Sequence, residues 1–152
     1  MIATLNEAEL KIFVDLSLAY FDTVTGTPAT SSEPRIEFAQ PTFFEYTGVV
    51  KLGGVVDGCV YLTLGRELVV DLLRHLGERE LTNENCLDLA GEMTSTIASN
   101  ARTHFGHHLT ISVPSPCDQH SAGQLSLAPT RFVLPLVWNK HPADLVIALF
   151  ND

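Results

Sequence analysis

The stretch from Thr82 to Phe105 constrains this chain more than any other. Leu87, Ala90, Met93, Ile97, Ala101 and Phe105 recur at helical spacing, and Gly106 follows the last of them. At about 100° per residue these positions fall on one side of a helix, while Asp88, Glu92, Ser95, Ser99 and Arg102 gather on the other. Thr82 or Asn83 supplies an N-cap, and Glu84 puts negative charge in the first turn. The spacing predicts one long helix with a buried stripe and a polar stripe. Such a helix must lie against an apolar surface that the rest of the chain provides.

The surface predicted is a β-sheet. Phe43, Phe44, Tyr46, Val49, Val50, Val55, Val56 and the run from Cys59 to Leu64 are β-type residues, with Gly53-Gly54 and Asp57-Gly58 available for turns, which reads as an antiparallel hairpin. Strands are also expected over Leu109 to Val113, Arg131 to Trp138 and Leu145 to Phe150. The last two are parted by the turn-like Asn139-Lys140-His141-Pro142. Two more helices are expected: one from an Asn6 cap to Val24, stopped by Gly26 and Pro28, and one from Arg66 to Leu76, stopped by Gly77. Thr27 to Pro34 reads as a loop. The order predicts an α+β fold with helices packed on a largely antiparallel sheet, and 152 residues without an internal repeat suit one domain over 1–152.

Composition narrows the function classes. With 45% hydrophobic and 18% charged residues the chain reads as a packed globule. Nine Lys+Arg against 18 Asp+Glu give a net charge of −9 with no basic cluster, so nucleic acid and anionic membrane surfaces are not expected partners. No run nears the ~20 apolar residues of a membrane span; the candidate Phe132 to Trp138 is broken by Pro135. The N-terminal residues lack a basic and apolar leader, which makes a cytoplasmic location the expectation. Cys59, Cys86 and Cys117 are odd in number and widely spaced, so reduced and at least partly buried thiols are expected rather than disulfides or a zinc site.

Chemistry concentrates on the long helix. Glu92 and Ser95, three residues apart, project side by side about 4.5 Å apart along the axis. Ser95, Thr96, Ala98 and Ser99 are short, so Glu92 stands above a low surface that another macromolecule can approach. The same pattern also fits an ordinary solvated helix face. His104, His107 and His108 invite a metal reading, but a helix ending at Gly106 swings them apart, leaving exposed helix-end histidines as the alternative. Cys117 beside Asp118 and His120 has the residue types of a thiol nucleophile but no evident orienting partner. No Gly-x-Ser-x-Gly, Walker or Gly-x-Gly-x-x-Gly pattern occurs. Trp138, Phe43 and Phe44 suit either a sheet core or a partner surface.

The run Gly91-Glu92-Met93-Thr94-Ser95-Thr96-Ile97-Ala98-Ser99-Asn100-Ala101-Arg102 resembles the signature helix of the CheX branch of the CheC/CheX/FliY phosphatases of bacterial chemotaxis, approximately Gly-Glu-Leu-x-Asn-x-Ile-x-Gly-Asn-Ala-Lys. The strand Gly58 to Leu64, the helix Glu67 to Gly77 and the strand Leu109 to Pro114 stand in the family's order, and the resemblance spans roughly residues 43 to 150. It implies a CheC-like fold, a homodimer, and a phosphatase acting on the phosphoaspartate of a CheY-type response regulator in chemotaxis or two-component signalling. It also implies no cofactor bound by this chain, with magnesium in the regulator. In the family a Glu grips a regulator lysine while an Asn three residues later orients the attacking water. Glu92 inherits the first role, and the Asn position holds Ser95. The implied partner surface is Glu92, Ser95 and Ser99; Asn100 matches a second signature Asn and is expected to tie the helix to a neighbouring strand. Because Ser95 replaces the Asn, the alternative is a regulator-binding module with impaired catalysis.

Overall fold

Asn6 opens the first helix, α1 (Glu7–Thr25). Its side chain accepts from the Glu9 N–H at 2.8 Å, and the Glu9 carboxylate accepts from the Asn6 N–H at 3.1 Å, a reciprocal cap. Gly26 ends the helix at φ +77°, where glycine has no Cβ to strain. The remaining elements are β1 (Thr30–Ser31), β2 (Arg35–Glu37), β3 (Tyr46–Gly54), β4 (Gly58–Leu64), α2 (Arg66–His75), α3 (Asn83–Phe105), β5 (Leu109–Ile111), β6 (Ser115–Asp118), α4 (Gln119–Ala122), β7 (Arg131–Trp138) and β8 (His141–Leu149). The computed structural model describes residues 6–38, 40–54, 57–105, 109–125 and 131–149. Val55, Val56, Gly106, His107, His108 and Phe150, on which parts of the sequence reading fall, lie outside the described residues.

The strands form one sheet in the order β1-β7-β8-β4-β3-β5, with β2 also on β7 and β6 also on β3. Every pairing is antiparallel. This is the α+β architecture expected, with differences at its margins. β1 and β2 fall in or beside the stretch read as a loop, and β6 was not expected. Pro116 within β6 needs no ladder donor because that strand lies on the sheet border. Phe43 and Phe44 precede β3 rather than belonging to it; the Phe44 N–H donates to the Thr63 hydroxyl at 2.8 Å. The β7–β8 turn is Asn139–Lys140 alone, with φ +49° and +69°, the left-handed pair a two-residue hairpin requires. His141 and Pro142 already belong to β8.

Strand alternation sorts side chains onto two faces. Val60, Leu62 and Leu64 of β4, with Leu134, Leu136 and Trp138 of β7, join Phe13, Phe21, Leu72, Met93 and Ile97 of the helices in the main core. Trp138 is core, not partner surface: its ring stacks on Phe21 at 5.6 Å and its indole N–H donates to the Thr27 carbonyl at 3.1 Å. Tyr61, Val133 and Val146 occupy the other face beneath Phe43 and Leu125. All three cysteines are free thiols, Cys59 and Cys86 buried and Cys117 half-buried. Among the described residues no helix is long and apolar enough to cross a membrane.

Contact between α3 and β3 sets the position of the polar helix face. A Cβ on Gly48 would collide with the Ala90 carbonyl and the Thr94 hydroxyl, so the helix approaches the sheet as closely as it does only because position 48 carries no side chain.

Candidate functional site

Thr82 caps α3, its hydroxyl accepting from the Asn85 N–H at 3.1 Å. Asn83, the other candidate cap, instead accepts from the Tyr46 hydroxyl at 2.5 Å and from Arg66 Nη1 at 2.9 Å. These bonds fix the start of α3 to β3 and α2. Cys86, Leu89, Ala90, Met93, Ile97 and Ala101 are buried along one stripe. Asp88, Glu92, Ser99, Asn100 and Arg102 are exposed, while Ser95 and Thr96 are half-buried. Ala98 is also buried, so the low surface beside Glu92 consists of Ser95, Thr96 and Ser99 without it.

Glu92 and Ser95 share one groove of about 470 Å³. Asp88, Gly91, Glu92, Ser95 and Thr96 of α3 form one wall, and Pro114 and Pro116 form the other. Gly91 sits where the walls approach: a Cβ there would touch Pro114 at 3.5 Å and Pro116 at 3.8 Å. The second wall is an arm of chain held to β3 at both ends. Ser112 N–H donates to the Lys51 carbonyl at 3.0 Å, and the Ser112 hydroxyl accepts from the Lys51 N–H at 2.9 Å. That hydroxyl donates in turn to the Val113 carbonyl at 2.9 Å. Beyond Pro114, β6, which contains Pro116, pairs with Tyr46 to Val49 of β3.

Two carboxylates, Asp88 and Glu92, line this groove and no basic residue does. Their i,i+4 repulsion costs a few tenths of a kcal/mol, roughly, and leaves a negative site suited to a cation. Among the described residues neither the Glu92 carboxylate nor the Ser95 hydroxyl has a hydrogen-bond or ion-pair partner. The neighbouring Thr94 hydroxyl, by contrast, is buried and donates to the Ala90 carbonyl at 2.8 Å. On α1, burial and then the negative charge of Glu92 push the Tyr20 phenol up to about 12, which places Tyr20 within electrostatic reach of the groove.

Ser99 is exposed further along the same face but does not line the groove. Asn100 does not show the strand tie expected of it: it is exposed, and among the described residues its side chain makes no hydrogen bond, while its carbonyl accepts from the Thr103 hydroxyl at 2.7 Å. Thr96 was expected beside Glu92; Asp88, Gly91, Pro114 and Pro116 complete a groove that sequence reasoning did not assemble. Asp88 was visible in the polar stripe; the prolines come into place only through β6 pairing.

The other constellations come to less. His104 is exposed, and among the described residues no group of three His, Cys, Asp or Glu is arranged to hold a metal. Burial, then the charge of Asp118, push the Cys117 thiol up, which is opposite to nucleophile activation. Asp118 is occupied as the cap of α4, accepting from the Ser121 N–H at 2.8 Å, and His120 faces Gln124 at 3.3 Å.

Helices over one face of this antiparallel sheet make the CheC-like fold. A CheC-like superfamily protein from Shewanella sp. PV-4 superposes with a TM-score of 0.78 at 16% identity over 95% of this chain and 99% of that one. The chain belongs to the chemotaxis phosphatase CheX family, whose model matches residues 46–135. The chemotaxis protein CheX of Desulfovibrio desulfuricans is similar over 93% of this chain and 99% of its own, with a TM-score of 0.80 and 18% identity. A chain of the CheX–CheY–BeF3–Mg2+ complex of Borrelia burgdorferi is similar over 93% and 97%, with a TM-score of 0.73 and 15% identity. No curated protein sequence matches the chain.

Proposed function

We propose that this chain, acting as one domain, engages the phosphorylated receiver domain of a CheY-type response regulator through the α3 groove and hastens hydrolysis of its phosphoaspartate. Glu92 grips a lysine of the receiver. Ser95, about one helical turn along the same wall, presents its hydroxyl to the water that attacks phosphorus. The aspartate carboxylate leaves, and water's oxygen ends on the released phosphate. Magnesium belongs to the receiver's own phosphorylation site, and this chain contributes no cofactor. Such catalysis rests on positioning and electrostatics. The observation that carries the reading is the placement of an exposed, unpaired carboxylate and an unpaired hydroxyl in one open groove. Family membership and the Borrelia burgdorferi relative in complex with CheY support it. A homodimer formed through a sheet border, and a cytoplasmic location, accompany this reading.

A second reading rests on Ser95 itself. Its oxygen lies one to two bonds nearer the backbone than an asparagine amide would, and a misplacement of about 1 Å costs ~100-fold in a positioning mechanism. On this reading the chain binds the regulator and has lost efficient hydrolysis. Decay of a phosphorylated CheY-type regulator, followed with wild type, Glu92→Ala and Ser95→Asn, separates the two. Accelerated decay with wild type that disappears in Glu92→Ala supports the phosphatase; acceleration only with Ser95→Asn supports the binding module.

A further inference from the structure

We propose that Val113 is a preformed apolar foothold for the receiver domain, fixing affinity for the regulator while the groove beside it handles the phosphorylation site. The inference rests on the functional reading above and adds to it a contact surface on the opposite wall from Glu92. Among the described residues Val113 is the most exposed large hydrophobic, at 81%. It stands in the arm that walls the groove, immediately before Pro114, which lines it.

A single exposed valine needs no explanation by itself. This one is held in a way that ordinary loop residues are not. The Ser112 hydroxyl bonds both to the Lys51 N–H and to Val113's own carbonyl, at 2.9 Å each. Pro114 fixes the next backbone angle and biases Val113 toward extended backbone. Beyond it β6 is paired to β3. The arm therefore loses little freedom when a partner covers it, and covering the side chain removes apolar surface from water at little ordering cost.

Charge and continuity identify the occupant. The groove holds Asp88 and Glu92 with no cation among its lining residues, so the body that docks there brings its own cation. A receiver whose lysine enters between α3 and Pro114 also meets the arm next to Pro114, and the residue before Pro114 is the exposed Val113. The matching surface is an apolar patch bordering the receiver's phosphorylation site. Hydrolysis involves no atom of Val113, so its loss weakens binding and leaves the chemistry of the bound complex unchanged.

The test measures the Kd of CheY-type receiver domains, saturated with beryllofluoride and Mg2+, for wild type, Val113→Ser and Val113→Ile. Burial of a valine side chain corresponds to a change of about tenfold or more in affinity. Val113→Ser is expected to bind about tenfold more weakly, Val113→Ile to bind as wild type does, and both to unfold at the wild-type temperature. Wild-type affinity in Val113→Ser overturns the proposal and leaves the functional reading standing. So does a change confined to self-association, read by light scattering, which would make the occupant a second copy. Failure of the wild type to bind any such receiver overturns the functional reading, and this one with it.

Discussion

Replacing Gly48 with alanine tests how α3 is seated, and the structure sets both the sign and the size of the effect. The new Cβ would lie 2.8 Å from the Ala90 carbonyl carbon and nearer still to its oxygen and the Thr94 hydroxyl. The obstacle is mainly backbone, and the Ala90 carbonyl oxygen is the nearest part of it, so helix and sheet must part by about 1 Å to restore ordinary contact. Overpacking of this kind costs ~1–3 kcal/mol, offset by ~0.4–1 kcal/mol because alanine stiffens the unfolded chain. A net loss of about 1–2 kcal/mol follows, and with an m-value of ~1–3 kcal/mol per M the urea midpoint falls by roughly 1 M. Gly91→Ala is the control of opposite sign. Its Cβ meets only Pro114 and Pro116 at 3.5 and 3.8 Å, ordinary contacts, and alanine inside a helix gains ~0.5–1 kcal/mol over glycine. Urea unfolding followed by circular dichroism reads both. A Gly48→Ala midpoint at or above wild type would refute the close seating of α3, and with it the placement of Glu92 two residues beyond Ala90.

Tyr20 is expected to titrate at about 12 by phenolate absorbance, and Glu92→Gln to lower that midpoint while leaving it above 10.0, because burial is the larger cause. An unchanged midpoint would separate the two side chains. A folded-state pKa raised in this way means stability is complete below about pH 10 and declines as pH rises through the window up to about 12, a decline that Tyr20→Phe reduces. Tyr46→Phe removes a hydroxyl that donates to Asn83 and accepts from Arg66, and should cost about 1–2 kcal/mol in urea unfolding; no loss would mean the bridge contributes nothing. Cys117, with its thiol pushed up, should react with iodoacetamide at neutral pH more slowly than a free thiol does; faster reaction would contradict its surroundings as described.

The parts legible in sequence are those whose signals are local. α1 is bracketed by Asn6 and Gly26, and α3 carries its stripe through six turns, so both come within a residue or two of the observed limits. β1, β2 and β6 were illegible because their two to four residues hold no usable alternation; they exist through pairing with β7 and β3. Phe43 and Phe44 have strand chemistry but lie before the β3 ladder begins at Tyr46. Pro142 misled because proline marks turns, yet here it sits where β8 extends past the β4 pairing that starts at Ala143. Pro135 is tolerated in β7 for a similar reason: on that side its position falls between β1 and β2, and its carbonyl accepts from the Ser32 N–H at 3.1 Å. Half of the candidate site followed from helical spacing. The other half required knowing that β6 folds back along β3 and carries the prolines to α3.

The most direct measurement is a map of amide chemical-shift changes in this chain as a beryllofluoride-activated CheY-type receiver is added. Docking in the α3 groove predicts changes concentrated in Asp88 to Thr96 and in Ser112, Val113 and Ser115, with Glu92→Ala suppressing them. Changes concentrated instead along the roughly 860 Å³ groove between α1 and β2, lined by Leu10, Val14 and Ile36, would contradict the account.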